Sequence, residues 1–475
     1  MSSQGFLFQV LYWYGVTNIS RKEIPLNSVS GSPVLEFPEI AHKPVYVAFD
    51  GGNISSDAGL LLLKEAEQNI GVVKALASCI DDKRDQRYVD HSYQTLSTQR
   101  VFQIAAGYED ANDCNSLRID PILKICTDKL PDSHSPLASQ PTMTRFENTP
   151  SRAELYKMAY AMVDQFQNSY DEQPRCIVLD FDDTEDIAHG HQQLCLFNAY
   201  ADEYCFMPLH IYEGLSGKHI GTLLKPGKRL SGAGTLAVLR RLVTHLRKRW
   251  PATEIIFRGD SHFASAQVMK WIGQEKHLYF VTGLATNSIL RKEADITVQS
   301  AQKLSAERNE KVTLFHTIYY KAGTWHDLQR VIMKVEVSPE HDDPNVRFIV
   351  SNIIHAKASV LYSEIYCARG SAELYIKDHK TYLKSDRTSC HRFAANQFRI
   401  FLHSAAYVLI HYLQHVVLRT TEFEHATMKT VQLKLFKIGA RVRECKTRIK
   451  IELPSSFPAQ DIFRSAYREL QLWRC

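Results

Sequence analysis

Between residues 56 and 150, apolar positions recur at three- and four-residue steps separated by polar breaks, which predicts a helical region. The stripes are clearest in Asp57–Gln68 and Tyr93–Ala106. Leu137–Asn148 has a polar entry containing Pro141, then Thr and Arg on a short helical pattern; a helix-turn-helix and an ordinary helical hairpin both fit it. At Arg175 the pattern changes. Cys176–Asp182 is a continuous apolar run closed by acids, which reads as a buried strand carrying carboxylates to a sheet edge. Strand-like segments follow at Leu194–Tyr200 and Phe206–Tyr212, then a long amphipathic helix from about Gly234 to Trp250. Glu254–Asp260 is a second buried strand ending in an acid, followed by a helix at Ser265–Gln274 and a strand at His277–Gly283.

Val312–Tyr320, Gln329–Val337 and Val346–Ile354 are rich in Val, Ile, Phe and Tyr and read as a β-rich block. A helical segment runs from about Ser359 to Lys384, and Arg392–Val417 is a long helix with an apolar stripe. The resulting fold class is α/β. An irregular arm (1–40) precedes a helical N-terminal region expected to bind DNA (41–170). A core built from 171–285 and 356–400 is interrupted by the β-rich insertion (286–355), and a helical and basic C-terminal region (401–475) ends the chain.

Composition narrows the class. Hydrophobic residues at 44% and charged residues at 23% describe a globular protein of several units. No apolar run approaches the roughly 18–20 residues that a membrane span needs, so no membrane partner is expected. Phe6–Tyr14 lacks a charged leader and does not read as a secretion signal. Ten scattered cysteines without a Cys-x-x-Cys pair point to reduced thiols. The net charge of +5 matters less than its distribution: residues 429–450 hold eight basic side chains against one acid, Glu444. Lys437, Arg441 and Arg443 in that stretch are candidate DNA-backbone contacts, against the simpler reading of a solvated face.

The candidate chemistry lies in the acids. Phosphoryl transfer on DNA is served by two Mg²⁺ about 3.5–4 Å apart, held by carboxylates, and Mn²⁺ can replace them. Asp182 and Asp260 at strand ends and Glu373 on a helix are the candidate ligands. Tyr366, Arg369, Glu373 and Lys380 fall within about 60° around an ideal helix at 100° per residue. A solvated face with one Arg–Glu pair is the bland alternative. Asp180, Asp182 and Thr184 also fit the Asp-x-Asp-x-Thr signature of haloacid-dehalogenase-type phosphatases, in which Asp180 would be the nucleophile. That reading leaves the helix face and the basic stretch without a role.

Taken together, the motifs resemble those of DDE transposases of the insertion-sequence 1380 family, within the wider insertion-sequence 4 group. The Tyr-x2-Arg-x3-Glu-x6-Lys signature is present as Tyr366, Arg369, Glu373 and Lys380. The first-acid region reads Leu179–Asp186 and then His189-Gly190-His191-Gln192; the second reads Arg258-Gly259-Asp260-Ser261-His262-Phe263. Asp50-Gly51-Gly52, Ala58-Gly59-Leu60, Gln99-Arg100 and Gly107-Tyr108-Glu109-Asp110 are similar too, and the likeness spans about residues 40–470. His262 stands where the family usually has glycine, and Asp183 where it has a small residue.

The resemblance implies an RNase H-like catalytic core in which the two acid-bearing strands are neighbours. It implies metal-dependent cleavage at terminal inverted repeats, and strand transfer into target DNA by the freed 3′-hydroxyl. Tyr366, Arg369 and Lys380 would hold DNA, and Trp325 would stack on a base unless it is a core residue. Asp180, Asp183 and His262 would support the metal ligands, while His189 and His191 are read as structural. A dimer in the synaptic complex and a bacterial cytoplasmic, nucleoid-associated setting are further implications. A DNA-binding remnant without catalysis is the remaining alternative.

Overall fold

The computed structural model describes residues 27–29 and 32–472, except the Asp342 side chain and those of 27–29, 32 and 33. The apolar stretch at residues 6–14 lies outside the described residues. Two units are distinguished, Met1–Ile54 and Ser55–Cys475. In the first, Asn27–Val29, Ser32–Ile40 and Lys43–Val47 form an antiparallel sheet. At 27–29 and 32–40 strands thus replace part of the irregular arm expected for residues 1–40; the rest of that stretch lies outside the described residues. Pro38 is accommodated because it falls where the register shifts, between Phe37 and Ile40, so its missing N–H costs the ladder nothing.

The second unit is organised by an eight-stranded mixed sheet. Its strands are β1 (Cys176–Asp183), β2 (Leu209–Glu213), β3 (His219–Leu223), β4 (Glu254–Gly259), β5 (Leu278–Leu284), β6 (Val312–Tyr320), β7 (Gln329–Ser338) and β8 (His341–Ser351). They lie in the order β3-β2-β1-β4-β5-β8-β7-β6. β1, β4 and β5 run parallel, and every other pairing is antiparallel. The parallel strands are apolar along nearly their whole length because both faces are covered.

One face carries α4 (Gly232–Arg249), α5 (Ala266–Gln274) and α6 (Ser288–Arg308), which are preceded by α1 (Leu60–Ile70), α2 (Tyr93–Ala105) and α3 (Arg152–Asn168). Leu239, Leu242, Val268, Met269, Leu290 and Ala294 of α4–α6 pack with Ile177, Leu179, Phe257 and Phe280 of the strands. Ser231 and Ser265 cap α4 and α5, and Asn287 caps α6, each accepting from a backbone N–H of the first turn. On the other face Leu361 and Tyr362 pack against Val281, Ile332 and Ile349.

The expected β-rich insertion is not a separate block. β6–β8 continue the central sheet through the β5–β8 pairing, and α6 precedes them. α6 buries only Leu290, Ala294, Ala301 and Ser305, two of them alanines, so its apolar stripe is too faint to read from sequence.

The helical stretch expected from about Ser359 is present but not uniform. It passes through a π segment (Leu361–Tyr366), a 3-10 turn (Cys367–Arg369), α7 (Gly370–Lys377) and a second π segment (Asp378–Tyr382). α8 (Phe393–Tyr412) crosses the core of this unit, with Phe398, Phe401, Leu402 and Leu409 against α1 and α2. The helix Phe393–Val417 is long and apolar enough to cross a membrane, but 78% of its apolar window is buried inside the protein. That is the pattern of a core helix.

Candidate active site

Register sets the site. Asp180 pairs with Arg258 and Phe181 with Gly259 across the parallel β1–β4 ladder, so Asp182 and Asp260 come next on adjacent chains at the same sheet edge. The helical stretch 358–382 lies over this edge, held there by a buried cross-link. Asp180 takes Arg258 Nε and Nη2 on its two oxygens at 2.5 and 2.6 Å, while Arg258 Nη1 donates to the carbonyl of Ile365. Gly214 makes room for the pair, since a β-carbon there would strike both side chains.

The residue after Ile365 is Tyr366. Its hydroxyl lies over Gly283 of β5, where a β-carbon would meet it at 2.7 Å. Arg369 Nη1 donates to Asp182 Oδ2 at 3.0 Å, and Nη2 lies 3.7 Å from Glu373 Oε1. Asp182, Asp260 and Glu373 all contribute to holding Arg369 charged, although burial works the other way. Asp182 therefore touches this guanidinium, Glu373 stands near it, and Asp260 adds to the negative charge that it feels. Burial pushes the Asp182 carboxyl up to about 6; Arg369 opposes the rise, and Asp260, Asp183 and Glu373 add to it. Such crowding of like charge is relieved by a cation.

His262 occupies the neighbouring space. Its Nε2 lies 3.1 Å from Asp183 Oδ2, its Nδ1 sits against Asp260 Oδ1, and its backbone N–H donates to the same Asp260 oxygen at 3.0 Å. Burial alone would lower the His262 pKa, but the two carboxylates outweigh it and raise it. Burial likewise pushes Asp260 up, and His262 more than reverses this. The other Asp183 oxygen is taken by Lys225 Nζ at 2.5 Å.

Lys380 lies at the end of β1, with Nζ on Thr184 Oγ1 at 3.1 Å, on the Glu185 carbonyl, and 3.8 Å from Asp186 Oδ1. Burial pushes Asp186 up to about 8 against the pull of Lys380.

Among the described residues, no three His, Cys, Asp or Glu side chains converge as a finished metal site. The donor set nevertheless fits a hard divalent cation: carboxylate oxygens on rigid strand ends, around a position that a positive group already holds. Here that positive group is Arg369.

Other expected residues lie elsewhere. Trp325 is buried and packs edge-on against Tyr320 at 5.5 Å, so it is a core residue and presents no face for a base. Lys437 is engaged by Asp57 at 2.6 Å and lies over the Tyr108 ring. Arg443 pairs with Glu452 at 2.8 Å on a hairpin of Ala440–Cys445 and Arg448–Glu452, and Arg441 on the same hairpin is exposed. Asp180 is not free to act as a phosphatase nucleophile, because it is buried with both oxygens committed to Arg258.

The upstream motifs are structural. Arg100 is buried and holds Glu147 at 2.9 Å together with the carbonyls of Tyr108, Glu109 and Asp110. Gly59 packs directly on the Leu435–Phe436 backbone. Sequence reasoning singled out neither Arg258 nor Lys225 as a site residue. An arginine directly after the apolar run Ile255–Phe257, still within the strand, was a usable signal, since a buried charge demands a partner. Lys225 offered none.

The family described as transposase DDE domain, group 1, matches residues 37–475. No curated protein matches the chain. Among solved structures, the cryo-EM structure of a piggyBac transposase synaptic complex with hairpin DNA aligns over 80% of each chain, with 11% identity and a TM-score of 0.42.

Proposed function

The chain belongs to the transposase DDE domain family, group 1, and we propose that it is an insertion-sequence transposase of the 1380 family that cuts terminal inverted repeats and joins them to target DNA. The observation that carries this reading is that strand register sets Asp182 beside Asp260 while Arg369 links Asp182 to the helix bearing Glu373. The strand order β3-β2-β1-β4-β5 supports an RNase H-like core as its frame.

In this reading Asp182, Asp260 and Glu373 hold two Mg²⁺, or Mn²⁺ in their place. Held there, such ions would supply activation of the attacking oxygen and compensation of charge on the phosphate and leaving oxygen. Asp182 and Asp260 set the position from rigid strand ends, and Glu373 closes it from the helix. Arg369, released from Asp182, holds a phosphate beside the scissile one in a charge-assisted hydrogen bond. Lys380 and Tyr366 extend the same edge along the DNA. Asp183 and His262 keep Asp260 in its rotamer. Two protomers would bring two transposon ends together.

The test is strand nicking. Purified protein should nick duplexes carrying the element's own inverted repeats in Mg²⁺, and Asp182→Asn should abolish nicking while leaving DNA binding. Salt-sensitive binding with no nicking at any metal concentration would identify a remnant that only binds.

A further inference from the structure

Between β1 and β2 the chain makes a small antiparallel sheet from Asp186–Ile187, Leu196–Asn198 and Glu203–Phe206. This sheet and the loop 225–229 enclose a cleft of about 430 Å³ that opens beside Asp183 and Glu185, the residues just past Asp182. Its lining includes Phe197, Tyr200, Lys228 and Arg229. Tyr200 is 88% exposed and Phe197 48%, an unusual display of aromatic surface next to polar chemistry. Lys228 and Arg229 are exposed, and the Arg229 guanidinium stands 5.6 Å from the Tyr200 ring centroid.

The cleft is built rather than incidental. Gly227 packs so closely on the carbonyls of Leu196 and Cys205 that no side chain fits there. Met207 donates to the Lys225 carbonyl at 3.1 Å, which fixes the basic loop against the sheet. The nearby Asp183 carboxylate is neutralised by Lys225 and His262, leaving Glu185 as the exposed acid against two exposed cations.

We propose that this cleft binds unpaired nucleotides of a DNA strand, Tyr200 and Phe197 stacking on bases while Lys228 and Arg229 take the adjoining phosphates. Stacking platforms interleaved with cations are how proteins hold single strands, because every base offers a π face whatever its sequence. The place suits the chemistry: a strand running over Asp182 and past Thr184 enters the cleft at once. The inference rests on the proposed DNA chemistry only for the identity of the polymer.

The probe is a ten-nucleotide oligo-dT with one central 2-aminopurine, single-stranded or annealed to its complement. With the whole protein, the single strand should bind and its fluorescence should be quenched by stacking. Tyr200→Ala should weaken single-strand binding about tenfold and lift the quench, while Tyr200→Phe keeps both. Lys228→Ala with Arg229→Ala should flatten the salt dependence. Because Tyr200 is exposed, Tyr200→Ala should melt with the wild type, so lost binding reports the site and not the fold. Wild-type protein that ignores the single strand, or Tyr200→Ala that binds and quenches as wild type does, overturns the proposal. In either case, intact nicking of inverted repeats would leave the transposase reading standing. Tyr200-dependent quenching without nicking would separate the two the other way.

Discussion

Arg369 donates to Asp182 across 3.0 Å, so the helical stretch meets the carboxylate of the first acid directly. The guanidinium lies where a divalent cation is proposed to go, with Glu373 3.7 Å away and Asp260 adding to the negative charge that it feels. In the proposed reading, metal and arginine would compete for the same carboxylates, and the arginine would become available to DNA once the metal took its place.

Replacing Arg369 by Ala should expose that competition. With Asp182 only partly shielded, the metal-free protein should lose about 1–2 kcal/mol of stability, less than for a fully buried pair. Mg²⁺ should restore more stability to the variant than to the wild type. Urea unfolding with and without Mg²⁺ measures both; identical curves would mean that the acids do not depend on the arginine.

The pH dependence of Mg²⁺ protection follows from Asp182, whose carboxyl is pushed up to about 6 from 3.8. A raised folded pKa means that the proton stabilises the metal-free protein, fully below 3.8 and no longer once pH has risen through about 6. Mg²⁺ must displace that proton. The rise in melting temperature on adding Mg²⁺ should be small at pH 5 and large at pH 7.5; an equal rise at both would contradict it.

Arg258 is the structural keystone beneath the site. Arg258→Met leaves Asp180 buried without its partner and should cost about 3–5 kcal/mol. Adding Asp180→Asn should recover part of the loss, because the uncompensated charge is then gone. Thermal unfolding of the single and double variants checks this, and a double variant no better than the single would argue against a buried ion pair.

Acid should unfold the second unit. His210, His219, His379, His403 and His411 are buried, and burial pulls each below 6.5, His379 and His411 to about 3. Folded values below the unfolded one mean stability that is present above about 6.5 and lost as pH falls. At pH 5.5 each buried neutral histidine should cost about 1 kcal/mol relative to pH 7.5. Urea midpoints across that range report the sum, and His219→Phe should flatten the slope.

How far the sequence carried this picture depended on which forces were local. The strands ending at Asp182 and Asp260 were legible because burial on both faces writes a continuous apolar run. The Tyr366–Lys380 spacing was legible as a helix face, but not its π and 3-10 segments; the first π segment holds Ile365, whose carbonyl Arg258 ties to the sheet. α6 was hidden by its alanine-lined contact. The continuation of the sheet through β8 was hidden because strand pairing is non-local: nothing near Phe348 says that it will sit opposite Leu284. Lys437 stood out as part of a basic run, yet its partner Asp57 lies 380 residues away in sequence.

If Asp182 binds the metal, exchanging its carboxylate for a thiolate should change which metal supports nicking. Asp182→Cys should fail to nick inverted-repeat DNA in Mg²⁺, which shuns thiolate, and should regain nicking in Mn²⁺, which tolerates it better. Equal activity in both metals, or a loss that Mn²⁺ never relieves while DNA binding and folding stay intact, would contradict the account.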